Sequence, residues 1–335
     1  MKTIRTFFLI LVLSSSTVFA NDSTAELAAG GLTFIKNPAI EMRSETLFLS
    51  LKKVRVRYTF FNQSDKMIKV TIAFPLPDIE SYRYGLGFSE LPVDDPSNPI
   101  GFVTRVNGQP VRMSIHQQAI AKNKDQTNFL KKNNIPLSPN YSQTKEALKK
   151  IPKTQWPKLE ALGLIWIDEY DAGQGMTKEP QPGWTLKTVY TWEQIFPAKK
   201  TMIIEHEYQP IIGATAGTNI GAPYAIGEQW YKDFIKKYCV NDSLQKRFAR
   251  NMKGGMAPYT ERRLAYILTT GANWAGPIHQ FTLTIDKGNK KNLISFCGKD
   301  KAKEISDTEL QIKEKNFIPK RNLYLLFLIP FSPTN

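Results

Sequence analysis

Imidazole and thiol are scarce in this chain: its 335 residues include three histidines, His116, His206 and His279, and two cysteines, Cys239 and Cys297. The common catalytic spacings are missing as well. There is no Gly-x-Ser-x-Gly elbow, no His-Glu-x-x-His pair, no Walker loop and no Rossmann fingerprint. There is no EF-hand loop and no zinc-spaced set of cysteines and histidines. Most nucleotide-using and zinc-peptidase classes lose support, and neither a cofactor nor a metal is expected. Repeats of solenoid period are absent too. Acidic residues are outnumbered, 30 against 45 Lys and Arg, which leaves a formal charge of +15.

The one strongly apolar opening run, "FFLILVL" at Phe7 to Leu13, follows Lys2 and Arg5 and precedes the small residues Val18 and Ala20. It reads as an export signal over residues 1–20, cut between Ala20 and Asn21, and is short of the roughly 20 apolar residues that a membrane span needs. The remaining 21–335 is large enough for one big β-rich unit, or for two lobes at 21–180 and 181–335. An exported chain meets an oxidising compartment, so a Cys239–Cys297 disulfide is the default expectation. Neither cysteine sits in a Cys-x-x-Cys, which makes a reactive thiol the weaker reading. The excess of lysine favours anionic neighbours: an acidic glycan, lipopolysaccharide or a lipid headgroup. Nucleic acid is disfavoured because no reading motif accompanies the charge. Oligomeric state is left open.

Period-two alternation dominates. Val54, Val56, Tyr58 and Phe60 alternate with polar residues, as do Ile68, Val70, Ile72 and Phe74, and the polar turn at 62–66 between them predicts an antiparallel hairpin. Pro75 and Pro77 should end its second strand. The Asn-Gly of "VNGQPV" predicts another hairpin, joining Val103–Val106 to Val111–Ile115 and closing on His116. From 117 to 163 the alternation gives way to short helical pieces broken by prolines, with nine lysines against Asp125, Glu146 and Glu160. This is expected to be a helical insertion whose charge is either a solvated face or a docking surface. Residues 228–252 are the best helical candidate, with Trp230, Phe234, Ile235 and Tyr238 on the buried face and Lys232, Lys236 and Lys237 outside. The C-terminal "NLYLLFLIPF" should be a buried final strand. The expected class is mainly β, antiparallel sandwich or barrel-like sheets with helical insertions.

Three acidic runs could supply a carboxylate pair for glycan hydrolysis: Asp78 with Glu80, Asp168 with Glu169 and Asp171, and Glu205 with Glu207. The last lies in "TMIIEHEYQP", where two carboxylates, an imidazole and a phenol are consecutive. On a strand, successive side chains point to opposite faces, so Glu205 and Glu207 separate from His206 and Tyr208. These four converge only if the strand is bulged. Glu205, Glu207 and His206 are therefore weak catalytic candidates, and His206 with Tyr208 is expected to lock the sheet.

The segments "NDSTAELAAGGLTFIKNPAIEMRSETLFLSLKKVRVRYTFFNQSDK", "AFPLPDIE", "YTWEQIFPAKKTMIIEHEYQPIIG", "YILTTGANWAGPIHQFTLTID", "NLISFCG" and "NFIPKRNLYLLFL" together resemble a family of secreted bacterial proteins, domain of unknown function 4424. His206, Tyr208 and Pro210 fall on its His-x-Tyr-x-Pro pattern, and Cys297 on its Ser-Phe-Cys. The resemblance implies an exported β-rich protein of Gram-negative bacteria and brings no established activity or catalytic residues. Two functions are weighed on this basis. One is a non-enzymatic binding module of the periplasm or extracellular space, and the other a secreted glycan hydrolase using a carboxylate pair.

Overall fold

The computed structural model describes residues 23–28, 31–35, 37–76, 78–81, 93, 95, 98–171, 173, 175–252 and 257–331. The expected signal segment, with Ala20 and Asn21, lies outside the described residues.

Along the chain the strands are β1 (Ser23–Ala28), β2 (Gly31–Ile35), β3 (Ile40–Ser50), β4 (Val54–Asn62), β5 (Ile68–Pro75), β6 (Ile79–Glu80), β7 (Val103–Val106), β8 (Gln109–Pro110), β9 (Ser114–Ala121) and β10 (Lys124–Asp125). Three short helices follow, α1 (Thr127–Lys132), α2 (Ser142–Lys149) and α3 (Trp156–Ala161). Next come β11 (Ile165–Asp171), β12 (Met176–Pro182), β13 (Thr185–Phe196), β14 (Thr201–Tyr208) and β15 (Gly213–Thr215), then α4 (Gln229–Tyr238) and α5 (Asp242–Arg250). The remaining strands are β16 (Tyr259–Tyr266), β17 (Ile278–Asp286), β18 (Leu293–Ser295), β19 (Lys303–Glu304), β20 (Glu309–Phe317) and β21 (Leu323–Pro330). The class is mainly β, as the alternation implies.

The largest sheet runs β19-β20-β17-β3-β4-β14-β7-β8, antiparallel except where β17 lies parallel to β3. A second runs β10-β9-β13-β5-β1-β2, with β6 also on β13. A third runs β15-β16-β21-β18, and β11 with β12 forms a two-stranded ribbon. One core joins the three sheets. Val56, Tyr58, Phe60, Ile204, Phe281 and Leu283 of the largest sheet meet Ile72, Phe74, Tyr190 and Trp192 of the second and Leu264, Tyr266, Leu325 and Phe327 of the third. On β21 the alternate residues Leu326 and Leu328 turn the other way, onto Tyr238 and Phe248 of α4 and α5. A strand covered on both faces reads as an unbroken apolar run, which is why "LYLLFLI" shows no alternation.

Two hairpin expectations are corrected. β4 and β5 do not pair: β4 lies between β3 and β14, and β5 pairs with β13 and β1. The turn between them passes from one sheet to another. Asn62, fully buried, makes this possible, donating to Lys66 O at 2.8 Å and Phe196 O at 2.9 Å and accepting from the Ser64 amide at 3.0 Å. The Asn107-Gly108 turn is present, both residues having positive φ (50° and 82°), but its returning strand is only β8. The segment beyond leaves as β9 to pair with β13. His116 consequently sits inside β9, its Nε2 2.9 Å from Thr191 Oγ1.

The insertion expected at 117–163 begins later than its composition suggests, because 117–121 still belongs to β9 and the first helix starts at Thr127. Leu130, Ile135, Leu148, Trp156 and Leu159 close over Ala119, Ala121, Ile165 and Trp184 as a separate small core. The expected 228–252 helix is broken at Cys239, which takes φ 49°, and Asn241 Oδ1 caps the second piece by accepting from the Leu244 amide at 2.8 Å. Its buried stripe is Tyr231, Phe234, Ile235 and Tyr238, while Trp230 is 47% exposed. Trp230 falls one residue before that stripe, and the spacing of three, four and seven starts from Tyr231. Pro180, at the alternative lobe boundary, is buried inside β12 and paired with Ile167.

Candidate functional site

The strand "TMIIEHEY" is β14, inserted between β4 and β7. Its burial alternates without a bulge, so the two sets of side chains part. Glu205 and Glu207 face outward and half-exposed. Arg57 Nε donates to Glu205 Oε1 at 3.2 Å and Lys53 Nζ to Glu207 Oε1 at 2.8 Å, both from β4 or the turn before it. Arg57 stands directly opposite Glu205, the arrangement that favours a cross-strand ion pair.

His206 and Tyr208 face the core, 2% and 6% exposed. The His206 ring lies 5.0 Å from Phe102, 5.2 Å from Phe74, 5.4 Å from Trp192 and 5.8 Å from Tyr58, centroid to centroid, with Nδ1 2.9 Å from Thr104 Oγ1. Burial pushes the Tyr208 phenol up, which keeps it protonated. The imidazole is thus separated from the carboxylates by the thickness of the strand. Changing Glu205 or Glu207 to Gln should cost no more than about 1 kcal/mol of stability each, the worth of an exposed ion pair, as read from denaturant midpoints.

One carboxylate of each of the other acidic runs is engaged similarly. Asp78 accepts from Lys187 Nζ at 2.9 Å, and Glu169 accepts from Lys178 Nζ at 2.8 Å along the β11–β12 ribbon. Among the described residues no group of three His, Cys, Asp or Glu side chains is placed to hold a metal ion. No helix of the described residues is long and apolar enough to cross a membrane.

Two of the basic regions among the described residues bear on binding. All nine lysines of 117–163, seven of them in the helical part, are exposed, and among the described residues only Lys149 enters a salt bridge there, with Glu146 at 3.6 Å and Glu179 at 3.3 Å. The second region has no sequence motif. A cleft of about 330 Å³ is lined by Asp233, Lys236 and Lys237 of α4, Cys297, and Arg321 to Tyr324 entering β21. Cys239 and Cys297 form a disulfide with a Cα–Cα distance of 5.0 Å, which draws the end of α4 to the end of β18. The two cysteines are the sequence signal that places Lys237 near β18; Arg321 comes close because β21 pairs with β18. A third, open hollow beside β9 and β13 is lined by Asp95, Asn98, Met113, Ile115, Gln117 and Tyr190. There Tyr190 donates to Asn98 Oδ1 at 2.9 Å.

Among solved structures the chain is similar to a candidate nutrient binding protein of Legionella pneumophila, at 16% identity and a TM-score of 0.44, over 92% of this chain and 70% of that one. A search of curated proteins finds no match. The comparison with protein families does give one, the family described as Domain of unknown function (DUF4424), over residues 20–326. Because the match covers far more than half of the chain, from before β1 into β21, the chain belongs to the DUF4424 family.

Proposed function

We propose that this protein is a non-enzymatic binding module, exported after cleavage between Ala20 and Asn21, that engages an anionic component of the envelope or host from the periplasm or extracellular space. The observation that carries the reading is the helical insertion. The segment 117–163, most of it folded around its own small core, holds nine lysines outward, and among the described residues only one of them enters a salt bridge. A solvated face needs no such imbalance, whereas docking on an anionic glycan, lipopolysaccharide or lipid headgroups uses it directly.

The alternative, a glycan hydrolase working through Glu205 and Glu207, draws no support from their placement. Each is held by a cation on an outward sheet face, and a glycosidase needs its two carboxyls flanking a sugar-sized cleft.

The test is binding to lipopolysaccharide and to vesicles containing anionic lipid at about 10 mM ionic strength, where the screening length is about 30 Å. Binding is expected there and should weaken steeply as salt rises. Reversing four exposed charges, Lys131→Glu, Lys132→Glu, Lys145→Glu and Lys150→Glu, should weaken it at least tenfold, given about 1 kcal/mol per lysine at an anionic surface. Absence of binding at low salt overturns the reading.

A further inference from the structure

The cleft beneath the disulfide is distinct from the lysine-rich insertion in sequence, in fold and in the way its charges are held. We propose that it is a binding site for a phosphate monoester, with Lys236, Lys237 and Arg321 receiving the phosphoryl group. The inference goes beyond the docking of the insertion and stands whether or not that docking occurs.

The first support is construction. The cleft unites segments more than 80 positions apart. The Cys239–Cys297 disulfide and Ser295, whose buried Oγ donates to Tyr238 O at 3.0 Å and lies 3.2 Å from Cys239 O, both tie the end of α4 to β18, and β18 is paired with β21 through Ser295 and Leu326, which brings the segment of Arg321 to the same place. Lys237 is held as well, its Nζ 4.6 Å from the centre of the Tyr324 ring and 5.7 Å from that of Tyr238. Asn322 is oriented by use of its carbonyl, since Oδ1 accepts from Leu268 N at 3.2 Å and from Thr269 Oγ1 at 3.0 Å. That leaves its amide nitrogen as a further donor. A site assembled this way needs little reorganisation on binding.

The second support is charge. Lysines in the last turn of a helix have an ordinary purpose, because they offset the partial negative charge of the unpaired carbonyls. That accounts for Lys236 and Lys237 and leaves Arg321, which is on no helix, unexplained. Among the lining residues three cations face one carboxylate, Asp233, and the helix end, worth about half a negative charge; outside the lining Glu80 and Arg263 act on Lys237 with opposite signs, so the cleft keeps a surplus of roughly +1.5. Partial burial, reinforced by the nearby Arg263, already holds the Lys237 ammonium below the usual lysine range. An anion in the cleft would offset the surplus charge and the repulsion from Arg263.

The third support is the match to a group of this kind. A phosphate monoester brings close to two negative charges and three acceptor oxygens near neutral pH, against one charge and two oxygens for a carboxylate. A guanidinium fork binds two of those oxygens in parallel, and ammonium groups suit the remainder as point charges. Leu323 and the Tyr324 ring give the alcohol part an apolar wall.

The experiment uses the oxidised chain from Asn21 onward and calorimetric titration with glycerol 1-phosphate, inorganic phosphate and acetate. Co-sedimentation with phosphatidylcholine vesicles, with and without phosphatidic acid, runs alongside. Glycerol 1-phosphate is expected to bind one to one and acetate at least tenfold more weakly. Arg321→Gln and Lys236→Gln, both at exposed positions, should each weaken the phosphate probe at least threefold and together at least tenfold. The four-fold insertion variant should bind the probe unchanged, which separates failure here from failure of the docking surface. Capture by phosphatidic acid alone, lost in the Arg321→Gln, Lys236→Gln double variant, would identify the source as a lipid headgroup. The proposal is overturned if no phosphate probe binds, if acetate binds equally well, or if a folded double variant binds like the wild type.

Discussion

Replacing Phe102 with alanine is expected to lower stability by about 3 to 5 kcal/mol, the range for truncating a fully buried aromatic ring. Phe102 is 1% exposed and joins the two larger sheets. On one side its ring lies 4.7 Å from Phe74 and 4.5 Å from Tyr190, and on the other 5.0 Å from His206 and 5.7 Å from Tyr208. Its backbone is pinned by one side chain, with Phe102 N donating to Asn98 Oδ1 at 2.8 Å and Asn98 Nδ2 donating to Phe102 O at 3.1 Å. Because Asn98 also accepts from Tyr190, the emptied space cannot close by a simple shift of the loop. The midpoint of urea unfolding should fall with little change in slope. Ile195→Ala, at an exposed position on β13, should stay within about 0.5 kcal/mol and serves as the comparison. Equal midpoints for the two variants would show that the stack does not join the sheets.

Loss of the disulfide should have an effect of similar size. The bridge closes a loop with a sequence separation of 58, for which the chain-entropy model gives about 4 kcal/mol. The Cys239→Ser, Cys297→Ser variant, and the wild type under reductant, should both unfold at lower denaturant by that amount. The damage should be local before it is global: hydrogen exchange is expected to rise first in α4 and β18, which the bridge joins, while β4 and β14 keep their protection. Two free thiols by non-reducing mass spectrometry, or unchanged stability under reductant, would contradict this account.

The strands themselves were legible. Alternation in "VRVRYTF" and "MIIEHEY" marks β4 and β14, because each has one face in the core. The same period separates the acidic side chains of β14 from its imidazole in the sequence alone. Sheet membership was not legible. A polar turn at 62–66 reads alike whether the chain folds back beside itself or crosses to another layer. What selects crossing is Asn62 bonded to Phe196 O, 134 positions away. Trp230 misled for a similar reason: a helical stripe can be drawn through it, and only the packing of Tyr231 against Ala222 and Ala225 shows which stripe is buried. The basic cleft beneath the disulfide was least legible of all, since its cations come from two segments with no shared pattern.

The parallel pairing of β3 with β17 has a consequence in time. Ser44 lies beside Gln280, so one edge of β3 waits for a strand made 236 positions later. At the pace of protein synthesis that delay is on the order of 10 to 50 s. Throughout it, an apolar strand would offer unpaired amides and carbonyls to any other chain. β3 carries countermeasures of its own: its register with β4 shifts between Met42 and Ser44, and Glu41 and Arg43 put charges into the same stretch. A bulge that bends the strand and charges that discourage edge pairing are the devices by which exposed edges resist aggregation. In the finished fold they are minor irregularities, but for a nascent chain they guard the seam on which its first and last thirds will close.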